Sequence, residues 1–434
     1  MKQRAIMFLV IILVGAAAGY LFMRDGKAPQ LMFLPAGGSV SAKTPPTLTL
    51  EDNDTGLKDL VVTVTQGDKS LTVVNVTFPQ GTSRKTVQLP LDKLGLTDGT
   101  LVMDIKARDN AMLANSAKQQ LTLTLDNRPP NISVLTTAHN INQGGAGLAM
   151  FRVSEKVQRA GIQAADRFFP AFPQQGGVYA CLFAFPHDMK PGDFLPRVVA
   201  VDLAGNERIS GIYYHTRLKP AKSDRITISQ GFLDEKMPEF QHYFPDTRDP
   251  LQLFLRVNGE LRAANIAKLK EFPAKTAGTP LWQSAFLRLP NAAPRAGFND
   301  QRDYYFNDKK VDHQTHLGLD LASLAASPIP AANSGTVVFA NELGIYGQCV
   351  IIDHGLGLQS LYSHLSSIDV TEGTQVKKGQ TIGRTGKTGM AGGDHLHFGI
   401  LVNGIEVEPL EWLDQHWITD NFTNKWNRAM ATAK

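Results

Sequence analysis

Residues 392–400 read GGDHLHFGI, with His395 and His397 one position apart between a glycine pair and an apolar run. On a strand, residues two apart point to the same face, so both imidazoles project together while Leu396 turns to the core. Two imidazoles on one rigid strand reach one small volume without the entropic cost of ordering a loop. The pair therefore reads as a β-strand that presents chemistry, and the text around it extends that reading.

From about Phe286 to Trp417 the chain is β-rich, with glycines at many turns, as in SGTVVFANELGIYGQCVIIDHGLGLQSLYSHL and GTQVKKGQTIGRTGKTG. Seven of the chain's eleven histidines fall between His313 and His416. Three further motifs stand beside the opening one: HLGLD with His316 and Asp320, LYSHL with His364, and the glycine-rich GKTGMAGGD that leads into His395. A catalytic zinc site takes three nitrogen or oxygen ligands and keeps one position open for water. His316, Asp320 and one member of the His395/His397 pair supply that set, and imidazole with carboxylate favours zinc over metals that select softer ligands. The remaining histidines are then free to move protons near the metal.

The order His-x-x-x-Asp, Tyr-x-His-Leu, glycine-rich turn, His-Leu-His-Phe resembles the lysostaphin-like, LytM-type zinc endopeptidases that cut peptidoglycan cross-bridges. GTVVFA, YGQCVIIDHG and VEP are similar to that family's body, and the resemblance covers about residues 300 to 412. It implies an antiparallel β-sheet under an open groove and one Zn2+ per chain on His316, Asp320 and His397. It also implies His364 and His395 as the two catalytic histidines that do not bind metal, and hydrolysis of a peptide bond in peptidoglycan stem peptides. A transition-state tyrosine is not placed by the motifs: Tyr304 and Tyr305 are the substrate-binding candidates, with Arg302 as a groove-lining candidate. His313 is expected on the rim and His354 in a hairpin turn. A second reading of the same domain is a non-catalytic LytM-type regulator that binds and activates another wall hydrolase; such relatives usually lose ligand residues, and here all five are present. A lipoyl-type barrel on GTQVKKGQTIGRTG lacks an acceptor-lysine motif.

The rest of the 434 residues divides by pattern. MKQR precedes a charge-free apolar run from Ala5 to Met23, which at 1.5 Å per residue spans about 30 Å, one bilayer core. Residues 1–25 are thus expected to be an uncleaved transmembrane helix, with Lys2 and Arg4 keeping the N-terminus cytoplasmic and the bulk of the chain periplasmic, on the inner membrane. An anchor without a wall-binding repeat fits a diderm envelope and D-Ala to diaminopimelate cross-links. Residues 26–44 read as a flexible stalk. Short β-rich runs at roughly ten-residue spacing follow, and the pattern restarts: PPTLTL at Pro45 is echoed by PPNISVL at Pro129, and DIKARDNA at Asp109 by RVVAVDLAGN at Asp202. This predicts two tandem immunoglobulin-like β-sandwich modules, 45–127 and 128–218, able to bind envelope protein partners.

Residues 219–285 carry helical spacing, with Asp249 as a cap, Pro250 at the first helical position and Gly259 interrupting the run. This segment, or the second sandwich module, is read as a cover over the groove of the peptidase domain, 286–418, which a tail, 419–434, follows. The fold class is mainly β. Cys181 and Cys349 lie far apart and are expected as buried, unpaired thiols; the net charge of +4 comes without a Lys/Arg run, so no nucleic-acid partner is indicated.

Overall fold

The structure is a computed structural model that describes residues 26–432 apart from 37 and 113. The expected transmembrane helix lies outside the described residues, and among those described no helix is long and apolar enough to cross a membrane. The chain is mainly β and forms two compact units. One holds the described residues up to Pro130 with Glu155–Gln158 and Val201–Arg208; the other holds Asn131–Ser154, Arg159–Ala200 and the chain from Ile209 on.

In the first unit a three-stranded sheet (Gln30–Leu34, Thr47–Glu51, Arg84–Gln88) and a five-stranded sheet (Ser39–Val40, Ser116–Leu125, Gly99–Asp109, Leu57–Gln66, Lys69–Thr77) share one core. Strict alternation makes that core: Leu48 and Leu50 from one strand meet Leu60, Val62 and Val64 from another, all fully buried. Residues 26–44 depart from the expected stalk. QLMFL alternates, so Leu31 and Phe33 pack on the core while Gln30–Leu34 pairs antiparallel with Thr47–Glu51. Pro35 and Gly38 beyond it lie in a bend that leads straight into the next strand, Ser39–Val40, rather than in a free linker. The echo between Asp109 and Asp202 is structural, because each buried carboxylate accepts from a backbone N–H two residues on, Ala111 at 3.1 Å and Ala204 at 2.8 Å.

In the second unit Ala146–Val153 and Val178–Ala184 pair antiparallel, and His139–Asn142 pairs parallel with Tyr214–Arg217. Cys181 and Cys349 are free and buried. The helical segment follows. Asp249 caps Pro250–Arg256 by accepting from Gln252 N at 2.8 Å, and the helix continues through one π-helical turn, Val257–Leu261, into Arg262–Leu269. Gly259 sits in that wider turn, where the extra residue is accommodated.

These helices share a core with the β-domain behind them: Leu233, Met237, Phe254, Val257 and Leu261 pack with Tyr304, Ile345, Ile351, Leu361 and Leu401. Just before them Ser223–Thr227 pairs parallel with Asp300–Phe306, which pairs antiparallel with Lys309–His316. The segment read as a cover is therefore built into the domain. The ten-stranded sheet places Leu396–Val402 at its centre, between Leu319–Ala322 and Leu358–Ile368. Every residue of Leu396–Val402 is buried, because both faces of the sheet are covered.

Candidate metal centre

Sheet register sets the site before any side chain is considered. Asp320 pairs with His397 on one side of the central strand and Ser363 pairs with His397 on the other, which puts His364 next to the same point. His316 ends its own strand four residues ahead of Asp320. The link between them is tight at Gly318, where a Cβ would stand 2.4 Å from His397 Cε1 and 3.0 Å from the Phe398 carbonyl oxygen. The third residue of HLGLD is glycine because His397 fills the space a side chain would need.

Three donor atoms meet in this pocket. His316 Nε2 lies 2.9 Å from Asp320 Oδ1 and 3.0 Å from His397 Nδ1, and His397 Nδ1 lies 2.9 Å from Asp320 Oδ1. Ligands of a tetrahedral zinc at 2.0–2.1 Å stand roughly 3.3 Å apart, so this triangle closes to within a few tenths of an ångström of that spacing. This set of two nitrogens and one oxygen fits zinc, which His316, Asp320 and His397 would hold.

The surroundings orient each donor. His316 Nδ1–H donates to the Gly297 carbonyl at 2.7 Å, which turns the Nε2 lone pair into the triangle. Arg302 Nη2 donates to Asp320 Oδ2 at 2.8 Å, leaving Oδ1 for the centre. Burial pushes the His397 imidazole down to about 4, so it is neutral at pH 7. Burial works against ionisation of Asp320, yet hydrogen bonds from His316, His395 and His397, with the charge interaction of His316, hold its carboxyl well below the usual range. Neutral imidazole and ionised carboxylate are the forms that bind metal.

His364 and His395 stand beside the triangle, their ring centroids 4.9 Å apart. His395 Nδ1–H donates to Gly393 O at 2.8 Å, and its Nε2 lies 3.6 Å from Asp320 Oδ1. His364 Nδ1–H donates to Thr388 O at 2.8 Å. Its backbone is left-handed, with φ of 66°, a conformation uncommon outside glycine that here aims the ring at the centre. Burial, then the neighbouring His395 and His397, push the His364 imidazole well below its ordinary value.

A cavity of about 240 Å³ opens over these groups, lined also by Ile226, Arg262, Arg302, Tyr304, Tyr346 and Met390. Tyr304 is thus in the cavity, whereas Tyr305 is not: neighbours on a strand face opposite sides, and the Tyr305 ring lies 3.6 Å under the Arg225 guanidinium. Arg302 is held by Asp320 and is not a solvated arginine. His313 is exposed and bound to Asp303 at 2.6 Å. His354 lies in the hairpin connection between Gln348–Asp353 and Leu358–Ile368, as expected, and is fully buried there, bonded to Ser334 O and Ser360 Oγ at 2.7 Å each. Arg262 and Ile226 escaped the sequence reading because the fold brings them in from the helical segment. Tyr346 sits within GIYG, two glycines that mark a tight turn, but no spacing rule ties it to the histidines. A larger cavity of about 450 Å³ between Asn140 and Lys425 has one carboxylate, Asp420, and no histidine in its lining, so it offers no comparable donor set.

Residues 314–409 match the profile of Peptidase family M23, and the chain carries an M23 domain in its C-terminal part. The chain is 39% identical over 95 residues to the DD-carboxypeptidase/endopeptidase Mpg of Neisseria meningitidis serogroup B, covering 22% of this chain and 22% of that protein. It is 35% identical over 131 residues to the peptidoglycan DD-endopeptidase ShyA of Vibrio cholerae serotype O1, covering 30% of each. The matched segments thus span 22% and 30% of the length of these two relatives. Among solved structures, the catalytic domain of lysostaphin from Staphylococcus simulans is 28% identical with a TM-score of 0.26, covering 30% of this chain and 98% of that one.

Proposed function

We propose that the protein is a zinc-dependent endopeptidase that hydrolyses peptide cross-links of peptidoglycan, with Zn2+ held by His316, Asp320 and His397. The observation that carries this reading is the closed triangle of their three donor atoms, each edge 2.9 or 3.0 Å, with two further histidines beside it. A relative named as a peptidoglycan DD-endopeptidase supports the substrate class.

When bound, zinc polarises a carbonyl and lowers the pKa of a water to about 7. The chain's residues supply the rest. His395, its Nδ1–H tied to Gly393, turns Nε2 toward the centre to accept a proton from the attacking water. His364, its single N–H fixed by Thr388 O and its imidazole kept neutral by burial, leaves Nε2 as a second proton acceptor beside the donor triangle. Tyr304 and Arg302 line the substrate's path, and Arg302 keeps Asp320 oriented through its hydrogen bond to Oδ2.

The test is incubation of the full-length protein and a His397→Ala form with purified muropeptide dimers, with products identified by mass and zinc measured on both samples. Zinc near one equivalent with cleavage to monomers in the wild type, both lost in the variant, is expected. Zinc unchanged in the variant overturns the ligand assignment. A zinc-loaded wild type that leaves the dimers intact favours the second reading, a regulator of another wall hydrolase. The apolar run Ala5–Met23 is assigned as an inner-membrane anchor that leaves the remaining chain in the periplasm; release of the protein from membranes by alkaline carbonate would contradict this.

A further inference from the structure

Two arginines line the cavity over the triangle, and they differ in how their charge is met. Arg302 is paired with Asp320. Arg262 is held only by a neutral residue: its Nε donates to Asn258 O at 3.1 Å and its Nη2 to Asn258 Oδ1 at 2.6 Å. Asn258 is fully buried and is itself fixed, donating from Nδ2 to Asp312 Oδ2 at 2.6 Å. The guanidinium is thus oriented without being neutralised, and no carboxylate pairs with it among the described residues. An arginine has five N–H donors, so three remain for a ligand.

The backbone explains how this side chain arrives. Asn258 lies in the π-helical turn Val257–Leu261, and Arg262 opens the α-helix that follows. The two stand four residues apart across that turn, with Asn258 buried beneath and Arg262 lining the cavity, and such turns recur at functional sites. Arg262 also lies outside residues 314–409, so it belongs to no part of the matched family profile.

We propose that Arg262 is a specificity residue that pairs with a free carboxylate on the amino acid next to the scissile bond, so that peptides carrying this carboxylate are preferred over their amidated counterparts. The inference rests on the peptidase reading above. Its chemistry is the fork-to-carboxylate match of guanidinium, which is short, charge-assisted and often bidentate. Adjacency follows from size: the cavity, at about 240 Å³, is smaller than the roughly 300–1,000 Å³ of sites for drug-sized ligands, and it holds the metal donors and Arg262 together. Its other lining groups, Ile226, Tyr304 and Met390, suit a peptide's apolar atoms.

The experiment compares two synthetic cross-link peptides that differ only in a carboxylate or a carboxamide next to the scissile bond. Zinc-loaded full-length protein is expected to favour the carboxylate form by about tenfold to a hundredfold in kcat/KM, chiefly through KM. In Arg262→Gln that ratio falls toward one, and in Arg262→Lys, which keeps charge without the fork, it lies between. A wild-type ratio retained in Arg262→Gln overturns the proposal, as does a wild type that shows no preference. Calorimetric binding of both peptides to metal-free protein gives a readout that does not depend on turnover. If neither peptide is cleaved, the peptidase reading fails and calorimetry decides alone: tighter binding of the carboxylate form, lost in Arg262→Gln, upholds the pairing, and equal binding overturns it.

Discussion

Gly318 and the His397 imidazole occupy adjoining space so closely that a Cβ on residue 318 would come 2.4 Å from the ring. The Cβ has little room to shift away from the ring, because the Phe398 carbonyl oxygen stands 3.0 Å from the same position. Gly318→Ala is therefore expected to displace one corner of the donor triangle while the fold survives, at a cost of about 1–3 kcal/mol for the overpacking. Zinc content well below one equivalent, with a single cooperative melt, is the predicted result; full zinc occupancy would show that the ring moves freely.

The two histidines beside the triangle should separate from the three within it. His364→Ala and His395→Ala are expected to keep zinc near one equivalent and to lose about 10²- to 10⁴-fold in kcat, the usual size of a proton-transfer contribution. Loss of metal from either variant would move that residue into the ligand set.

Glu411 ties Ala146 and Asn142 to the C-terminal part of the domain, accepting from Ala146 N at 3.1 Å and from Asn142 Nδ2 at 2.9 Å. Burial pushes its carboxyl up from 4.5 to about 7. A folded-state value above the unfolded one means the folded protein holds the extra proton, so this group's stabilisation is present below about 4.5 and is lost as pH rises through about 7. The shift corresponds to about 3 kcal/mol. His139 and His354, each pushed down to about 4 by burial, act in the opposite sense, adding stability as pH rises above that value. The difference between wild type and Glu411→Gln isolates the carboxyl. In urea titrations at pH 5 and pH 8 the wild type should lose stability relative to the variant by about that amount, and a constant difference would refute the assignment.

Phe254 packs edge-on against Tyr304, ring centroids 5.6 Å apart, and is almost fully buried. Phe254→Ala should cost about 3–5 kcal/mol and loosen the tyrosine that lines the cavity. By the same logic a fragment starting at residue 286 is expected to be insoluble or to bind hydrophobic dyes, because Ile345, Ile351, Leu361 and Leu401 lose the helices they pack against. A soluble, cooperatively melting fragment that hydrolyses wall peptides faster than the intact chain would reinstate the segment as a removable cover.

What was legible in the sequence followed from short-range periodicity. Alternation at His395 and His397 placed both rings on one face, and Asp249-Pro250 marked a helix start that the structure shows as a side-chain cap. What was hidden depended on long-range pairing. Residues 26–44 looked like a linker because their glycines and prolines flank a five-residue strand whose only evidence is the alternation of QLMFL. His354 is a turn residue as its sequence suggests, but nothing nearby predicts its burial or its partners Ser334 and Ser360. Arg262 lies 54 positions ahead of His316 with no motif around it, and only the shared core places it over the donors.

The parallel pairing of Ser223–Thr227 with Asp300–Phe306 makes the helices between them a crossover connection. Strand register fixes the metal donors, whereas Arg262 reaches the cavity from the crossover. Divergence can thus act on the two independently: sequence drift in the crossover would retune which peptides are accepted while the reaction itself stays the same.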